Sequence, residues 1–190
     1  MNTNKYLVFL ILIILPYSTS IKSEVMIIDS LDSQYEINNS NSWKFFTDGV
    51  MGGLSEGRVI KDIVEEVKCY RMSGNVTTEN NGGFIQIRLD LDTKDKVNEY
   101  EGFYIKVYGN NQKYYLHIRT GLTLAPWQYY THSFNANKKW DIIKTPFKDF
   151  KRSNFYQPKK LNNQKIKSVG LIAGFDNYQA DICLAEIGLY

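Results

Sequence analysis

An all-β fold, an antiparallel sandwich or jelly roll, is what this sequence of 190 residues predicts, and three observations carry the prediction. Beyond an apolar N-terminal run, no window of twelve or more residues sustains the apolar period of an amphipathic helix. Short stretches alternate strictly instead, so that one side of an extended chain is apolar and the other polar. About ten such stretches, rich in Tyr, Val and Ile and spaced by Gly- and Asn-bearing turns, match the strand spacing of a sandwich.

The N-terminus comes first in chain order. Asn4 and Lys5 precede the apolar run Tyr6 to Leu15, followed by Pro16, Tyr17 and the small residues Ser18, Thr19 and Ser20. A basic start, a short apolar core and a small-residue exit describe a signal peptide over residues 1–20, cleaved after Ser20. The run is shorter than the roughly 20 residues a spanning helix needs. An uncleaved membrane anchor is the alternative, since Ile21 and Val25 to Ile28 follow closely. Residues 21–190 are then a single domain, exported to a periplasm or secreted, with no membrane span once the signal is removed.

Removing the leader takes away Lys5 alone, leaving 23 − 1 = 22 basic against 20 acidic residues. That balance supplies no electrostatic reason to expect nucleic acid as partner. Cys69 and Cys183 both survive cleavage and meet an oxidising compartment, where either a disulfide or two buried free thiols satisfies the sequence.

Strands are expected over Trp43–Phe46, Arg58–Ile63, Val67–Ser73, Gly83–Asp90, Phe103–Tyr108, Tyr114–Arg119, Tyr129–Phe134, Trp140–Lys144, Ser168–Ala173 and Asp181–Leu189. The alternation is cleanest in three of them. Ile85, Ile87 and Leu89 share one side, as do Phe103, Ile105 and Val107, and Tyr114, Leu116 and Ile118. Asn110-Asn111 reads as a hairpin turn, and Asn135 to Lys138 as another. Pro146 to Arg152 and Pro158 to Gln164 read as irregular or briefly helical.

The opposite sides of those strands carry Gln86, Arg88, Tyr104, Lys106, Tyr108, Tyr115, His117 and Arg119, a surface both aromatic and polar. Tyr and Arg carry binding energy at modest entropic cost, and rings beside planar donors suit sugars. An ordinary solvated sheet face stabilised by cross-strand pairs is the plainer reading. Trp127, Tyr129 and Tyr130 follow Pro126 and offer either a ligand platform on a loop or a plug for the core.

Gly53-Leu54-Ser55-Glu56-Gly57 fits the G-x-S-x-G string of serine hydrolases. That motif requires a strand, a sharp turn and a helix, whereas an extended segment follows here, so an esterase at Ser55 is a distant third reading. His117 and His132, with scattered acids, form no zinc set, and no metal or other cofactor is expected. Loop carboxylates such as Asp48 and Asp176 leave a structural calcium open.

Two Gly-rich strings remain, Asp48-Gly49-Val50-Met51-Gly52-Gly53-Leu54-Ser55 and Asn80-Asn81-Gly82-Gly83-Phe84. With Trp43, Arg88, the Tyr114–Thr120 strand, Tyr129 to Phe134, the segment Trp140 to Phe150 and Ser168-Val169-Gly170-Leu171, they resemble the complex I intermediate-associated protein 30 family over about Trp43 to Tyr190. The resemblance implies a fold similar to galactose-binding jelly rolls. It also implies an assembly or chaperone-like role without catalytic residues, in which Asp48, Gly49, Met51, Gly52, Gly53, Ser55, Asn80, Asn81, Gly82, Gly83 and Phe84 are structural. Asp48 and Arg88 are expected to form a buried ion pair that pins the Gly-rich corner. The export signal departs from the mitochondrial setting of that family and favours binding over complex I assembly.

A non-catalytic protein that binds a protein client is therefore the leading expectation, and a carbohydrate-binding module the alternative. The first predicts an exposed apolar patch, the second a cup of rings with convergent polar groups. Arg88, Tyr104, Tyr108, Tyr115, His117, Arg119, Trp127 and Tyr130 are the candidate binding residues.

Overall fold

The computed structural model describes residues 25–31, 42–91 and 97–190, so the expected signal peptide over residues 1–20 lies outside the described residues. Twelve strands follow in chain order: β1 Met26–Ser30, β2 Lys44–Thr47, β3 Glu56–Val64, β4 Val67–Val76, β5 Phe84–Asp90, β6 Gly102–Tyr108, β7 Gln112–Thr120, β8 Tyr130–Ala136, β9 Asp141–Pro146, β10 Lys151–Arg152, β11 Ile166–Gly174 and β12 Tyr178–Leu189. Only single turns of 3₁₀ helix interrupt them.

The strands form two six-stranded antiparallel sheets. The first runs β3-β4-β12-β6-β9, with β1 also on β12, and the second runs β10-β8-β7-β11-β5-β2. The expected alternation holds, with Ile85, Ile87, Leu89, Phe103, Ile105, Val107, Tyr114, Leu116 and Ile118 all buried between the sheets. Leu171 of β11 sits opposite Ile87 on one side and Leu116 on the other, so the core is built of cross-strand rows in register. Each fully buried aliphatic side chain contributes about 2 kcal/mol, and a one-residue slip would turn the whole set outward, which holds the register.

Both expected hairpins are corrected by the topology. Asn110-Asn111 joins β6 of the first sheet to β7 of the second, and Asn135 to Lys138 joins β8 of the second to β9 of the first. The two crossings lie side by side and bond to each other, Gly109 N–H to Asn137 O and Asn111 N–H to Ala136 O, both at 2.8 Å. A Cβ at Gly109 would stand 2.4 Å from the Ala136 methyl, so the close approach needs glycine. The two-residue hairpin is instead β3–β4, turning at Glu65 and Glu66 with φ of 45° and 66°.

Met26–Ser30, which includes three of the apolar residues that kept a membrane anchor open, pairs with the last strand. No helix among the described residues is long and apolar enough to cross a membrane. Cys69 and Cys183 form a disulfide between neighbouring strands β4 and β12. It lies on the outer side of the first sheet, packed against Val64, Val67, Tyr108 and Trp140.

Candidate functional site: the outer face of the second sheet

Strand pairing puts the outward residues of the second sheet in three rows. One is Phe46, Gln86, Ile172, Tyr115 and Ser133, and a shorter one is Asp90, Ser168 and Arg119. Between them Lys44, Arg88, Gly170, His117, Thr131 and Lys151 cross all six strands. The three buried side-chain polar atoms without a hydrogen bond among the described residues, Arg88 Nε, His117 Nε2 and Thr131 Oγ1, all belong to this middle row. Arg88 Nε still faces Asp90 Oδ1 as an ion pair at 3.3 Å. Leaving a buried polar atom unpaired costs about 1–3 kcal/mol, so His117 Nε2 and Thr131 Oγ1, side by side in one row, mark a place organised for something other than stability.

His117 is the centre of the row. Burial pushes its imidazole down to about 3, so the ring is neutral at physiological pH. The Tyr129 ring stacks on it at 3.9 Å with planes 12° apart, and Phe175 lies 5.9 Å away on a tilt. Phe175 also meets Tyr115 edge-on at 4.8 Å while staying 52% exposed. Two cations stand near His117, Arg88 within the row and Arg119 on the shorter row beside it. Arg88 stands over the Phe46 ring at 4.8 Å with Asp90 Oδ1 3.3 Å from its Nε. Arg119 bonds the carbonyls of Ala125 and Thr123 at 2.9 and 3.5 Å, and burial, then the Arg88 charge, lowers its pKa.

Loops set the rings in place. The Tyr129 carbonyl accepts from Ser153 N–H at 2.9 Å and from the buried Gln157 side chain at 2.8 Å, fixing the approach of Tyr129 to His117. Phe175 has a φ of 70°, uncommon for an aromatic residue, and its N–H is held by Gly83 O at 2.8 Å. Gly83 in turn belongs to the Asp48 cluster. Asp48 is wholly buried and accepts from Ser55 N–H, Ser55 Oγ–H, Gly83 N–H and Phe84 N–H. Burial raises its carboxyl, but those bonds outweigh burial and hold it below the usual range. A Cβ on Gly53 or Gly82 would come within 2.3 or 2.4 Å of the carboxylate, which accounts for both glycines of the shared motif. Gly52 and Gly83 have φ of +87° and +126°. Asn80 and Asn81 take left-handed values beside them, and Gly49 N–H caps onto Thr47 Oγ1. Met51 is exposed on this corner.

The candidate residues divide. Arg88, Tyr115, His117 and Arg119 come together on this face, and Trp127 stands at its end, 65% exposed on the β7–β8 loop. Tyr104 and Tyr108 do not join them, because β6 belongs to the first sheet: Tyr104 bonds Glu186 at 2.7 Å and Tyr108 packs on Trp140 over the disulfide. Tyr130 is withdrawn as well. Its pairing with Ile118 turns it into the core, where its hydroxyl bonds Pro158 O at 2.8 Å. Tyr129, Phe175 and Phe46 take up the aromatic role instead. The sequence shows Tyr129 as an aromatic close to Trp127, and nothing in it marks Phe175.

The Asp48–Arg88 ion pair is also corrected. Arg88 is on the outward side of β5 and pairs with Asp90, while Asp48 is satisfied by backbone N–H groups and Ser55. Those donors occupy the oxygens that a calcium would need, and no cluster of metal-ligating side chains occurs among the described residues. Ser55 donates to Asp48 and accepts from Thr77 N–H at 3.1 Å, while His117 stacks on Tyr129 and His132 faces Phe150, so no histidine serves it as a base.

In three dimensions the chain is similar to the family 11 carbohydrate-binding module of the cellulosomal cellulase Lic26A-Cel5E of Clostridium thermocellum, with TM-score 0.68 at 15% identity over 87% of this chain and 94% of that one. The family 11 module from Clostridium thermocellum in complex with a β-1,3-1,4-mixed-linked tetrasaccharide gives 0.67 at 15% over the same shares. A family 30 carbohydrate-binding module gives 0.57 at 12% over 88% of each chain. At these identities the likeness is one of fold. No curated protein matches the chain in sequence. The model of the complex I intermediate-associated protein 30 family matches residues 32–185, spanning both Gly-rich loops and nearly all of both sheets. The chain belongs to the complex I intermediate-associated protein 30 family.

Proposed function

We propose that the chain is a non-catalytic binding protein that takes a carbohydrate chain across the outer face of its second sheet, in an exported compartment. The observation that carries the reading is the middle row, in which the buried, unpaired His117 Nε2 and Thr131 Oγ1, with the Arg88 guanidinium two strands away, lie beside the rings of Tyr129, Tyr115 and Phe175. Sugar hydroxyls both donate and accept, and the axial C–H faces of a sugar ring pack on aromatic rings, so one ligand class meets both features. The neutral imidazole accepts from a hydroxyl, and the arginines donate to ring and hydroxyl oxygens. The fold shared with modules that bind carbohydrate is consistent with this use of a sheet face. The Cys69–Cys183 disulfide supports the exported setting, since such bonds persist where thiols are not kept reduced.

A protein client, the role the family name suggests, is the second reading. It is favoured by a different surface. Leu124, Trp127, Phe155 and Tyr156 are 87%, 65%, 79% and 88% exposed on two loops stitched together by Ser153 Oγ–H to Trp127 O at 2.8 Å. A glycan array probed with the native protein and with Tyr115→Ala, Tyr129→Ala and Trp127→Ala tests the choice. Specific signal that falls with the Tyr115 and Tyr129 changes supports carbohydrate binding on the sheet. A blank array with all four proteins folded sinks that reading and leaves the loop surface, to be followed by crosslinking.

A further inference from the structure

The outer face of the second sheet is unevenly charged. Its outward positions carry Lys44, Arg88, Lys113, Arg119 and Lys151 against a single carboxylate, Asp90. Asp90 is already shared, with Lys44 Nζ at 2.7 Å and Arg88 Nε at 3.3 Å. No carboxylate among the described residues pairs with Arg119, whose hydrogen bonds go to backbone carbonyls. Yet Arg119 and Arg88 stand on strands either side of β11, both partly buried and close enough for the Arg88 charge to disfavour the Arg119 cation. Between them β11 contributes only Ser168 and Gly170, both small, so no large side chain rises between the two guanidinium groups. The chain as a whole has 23 basic and 20 acidic residues, so this bias is local to the face and not a reflection of overall charge.

Two partly buried guanidinium groups that repel one another are a cost to the free protein that an anion between them removes. Guanidinium recognises the planar, bidentate geometry of a carboxylate in particular. The neutral His117 and Thr131, one and two strands further on, are matched to hydroxyls and not to charge. We propose that the ligand is an acidic carbohydrate chain, a polyuronate, with one carboxylate held by Arg88 and Arg119 over Gly170 and Ser168 and the next sugar's hydroxyls on His117 and Thr131. The proposal rests on the carbohydrate reading of the same face and narrows it to sugars bearing carboxylates.

Uronic-acid hexasaccharides of galacturonate, guluronate and mannuronate are titrated calorimetrically into the purified protein at low salt, each beside its own methyl ester. A neutral mixed-linkage glucan hexasaccharide and a single-stranded hexanucleotide are run in parallel. At least one free acid binds tenfold or more tighter than its ester and than the hexanucleotide, and the preference shrinks as salt rises. Arg119→Gln and Arg88→Gln each bring acid and ester to within about threefold of one another, the free acid losing far more affinity than the ester. Because Arg119 also holds the 123–125 loop, the Arg88 variant carries the result if Arg119→Gln is poorly folded. Equal binding of acids, esters and glucan overturns the acidic assignment and leaves carbohydrate binding standing. A hexanucleotide bound as tightly as the best uronate overturns it in favour of polyanion binding without sugar recognition. No binding by any saccharide overturns both readings together.

Discussion

Replacing Asp48 by Asn changes one oxygen for an amide inside a site built entirely of donors. The carboxylate receives one bond at Oδ1, from Ser55 N–H at 3.0 Å, and three at Oδ2, from Ser55 Oγ–H, Gly83 N–H and Phe84 N–H. The substituted asparagine satisfies the three-donor side only by turning its NH₂ toward Ser55 N–H, which leaves that donor buried and opposed. An orphaned buried donor costs about 1–3 kcal/mol, and each remaining bond falls from the charge-assisted to the neutral class, a loss of about 1 kcal/mol apiece. Allowing for relaxation, Asp48→Asn destabilises the fold by about 4 kcal/mol. With a urea m-value near 2 kcal/mol per molar, the unfolding midpoint drops by about 2 M. The acid limb supplies a second readout. Asp48 has a depressed pKa in the folded state, so its contribution is fully present above the unfolded carboxyl value of about 4 and is lost as pH falls through the lower folded value. The native protein therefore loses stability below about pH 4 more steeply than the Asn variant, in which the depressed Asp62 and Asp90 still act on that limb. A midpoint within about 0.5 M of native, with an unchanged acid limb, refutes the role of Asp48 as the anchor of the two Gly-rich loops.

Three further outcomes follow from the same geometry. Closing a loop across a sequence separation of 114 restricts the unfolded chain by about 5 kcal/mol on the chain-entropy model, so a Cys69→Ala/Cys183→Ala double variant loses about 3–5 kcal/mol in urea unfolding, and thiol titration of the native protein in denaturant finds no free sulfur until a reductant is added. Gly82→Ala places a methyl 2.4 Å from Asp48 Oδ2 and 2.8 Å from Gly53 Cα, and thermal unfolding registers a cost of about 1–3 kcal/mol. His117, depressed by burial to about 3, favours the fold only when neutral, so stability declines as pH falls from about 6.5 toward 3, by up to about 1.4 kcal/mol per pH unit, and His117→Gln flattens that limb in urea titrations between pH 7 and 4.

Alternation tells which side of each strand is buried, and Ile85, Phe103 and Leu116 are where it puts them. It is silent on which sheet a strand joins, because both sheets have an outer face and the same period. Tyr104 and Tyr108 therefore fall in with Tyr115 on parity alone, while the crossover at Asn110-Asn111 carries the chain between sheets through a turn that reads as a hairpin. Tyr129 and Tyr130 are adjacent aromatics with no local reason to prefer one as outward, and only the pairing of Tyr130 with Ile118 decides it. Phe175 takes a left-handed backbone that its residue type disfavours, so no propensity argument would place its ring on the face. The buried partner of Asp48 escapes the sequence for a related reason. Arg88 is an obvious cation of the shared pattern, but its outward parity on β5 removes it from the buried corner where backbone donors already suffice.

The two outer faces of the sandwich use the same residue types to opposite ends. On the first sheet Arg71 is shared by Asp62 and Asp181 at 3.0 and 2.7 Å, Tyr104 bonds Glu186, and Tyr108 and Trp140 cover the disulfide, with Trp140 Nε1–H tied to Val64 O at 3.1 Å. Its polar and aromatic groups are committed to one another. On the second sheet the rings are held by structures outside the sheet: Tyr129 by Ser153 and Gln157, and Phe175 by Gly83, which Asp48 fixes in turn. The shared Asp48–Gly83 motif thus reaches the candidate face through a chain of two bonds, from carboxylate to Gly83 N–H and from Gly83 O to Phe175 N–H, although none of the motif's polar side chains lies on that face. A scaffold that anchors its rings from behind while leaving His117 Nε2 and Thr131 Oγ1 unpaired in front keeps hydrogen-bonding capacity that the other sheet has spent on its own stability.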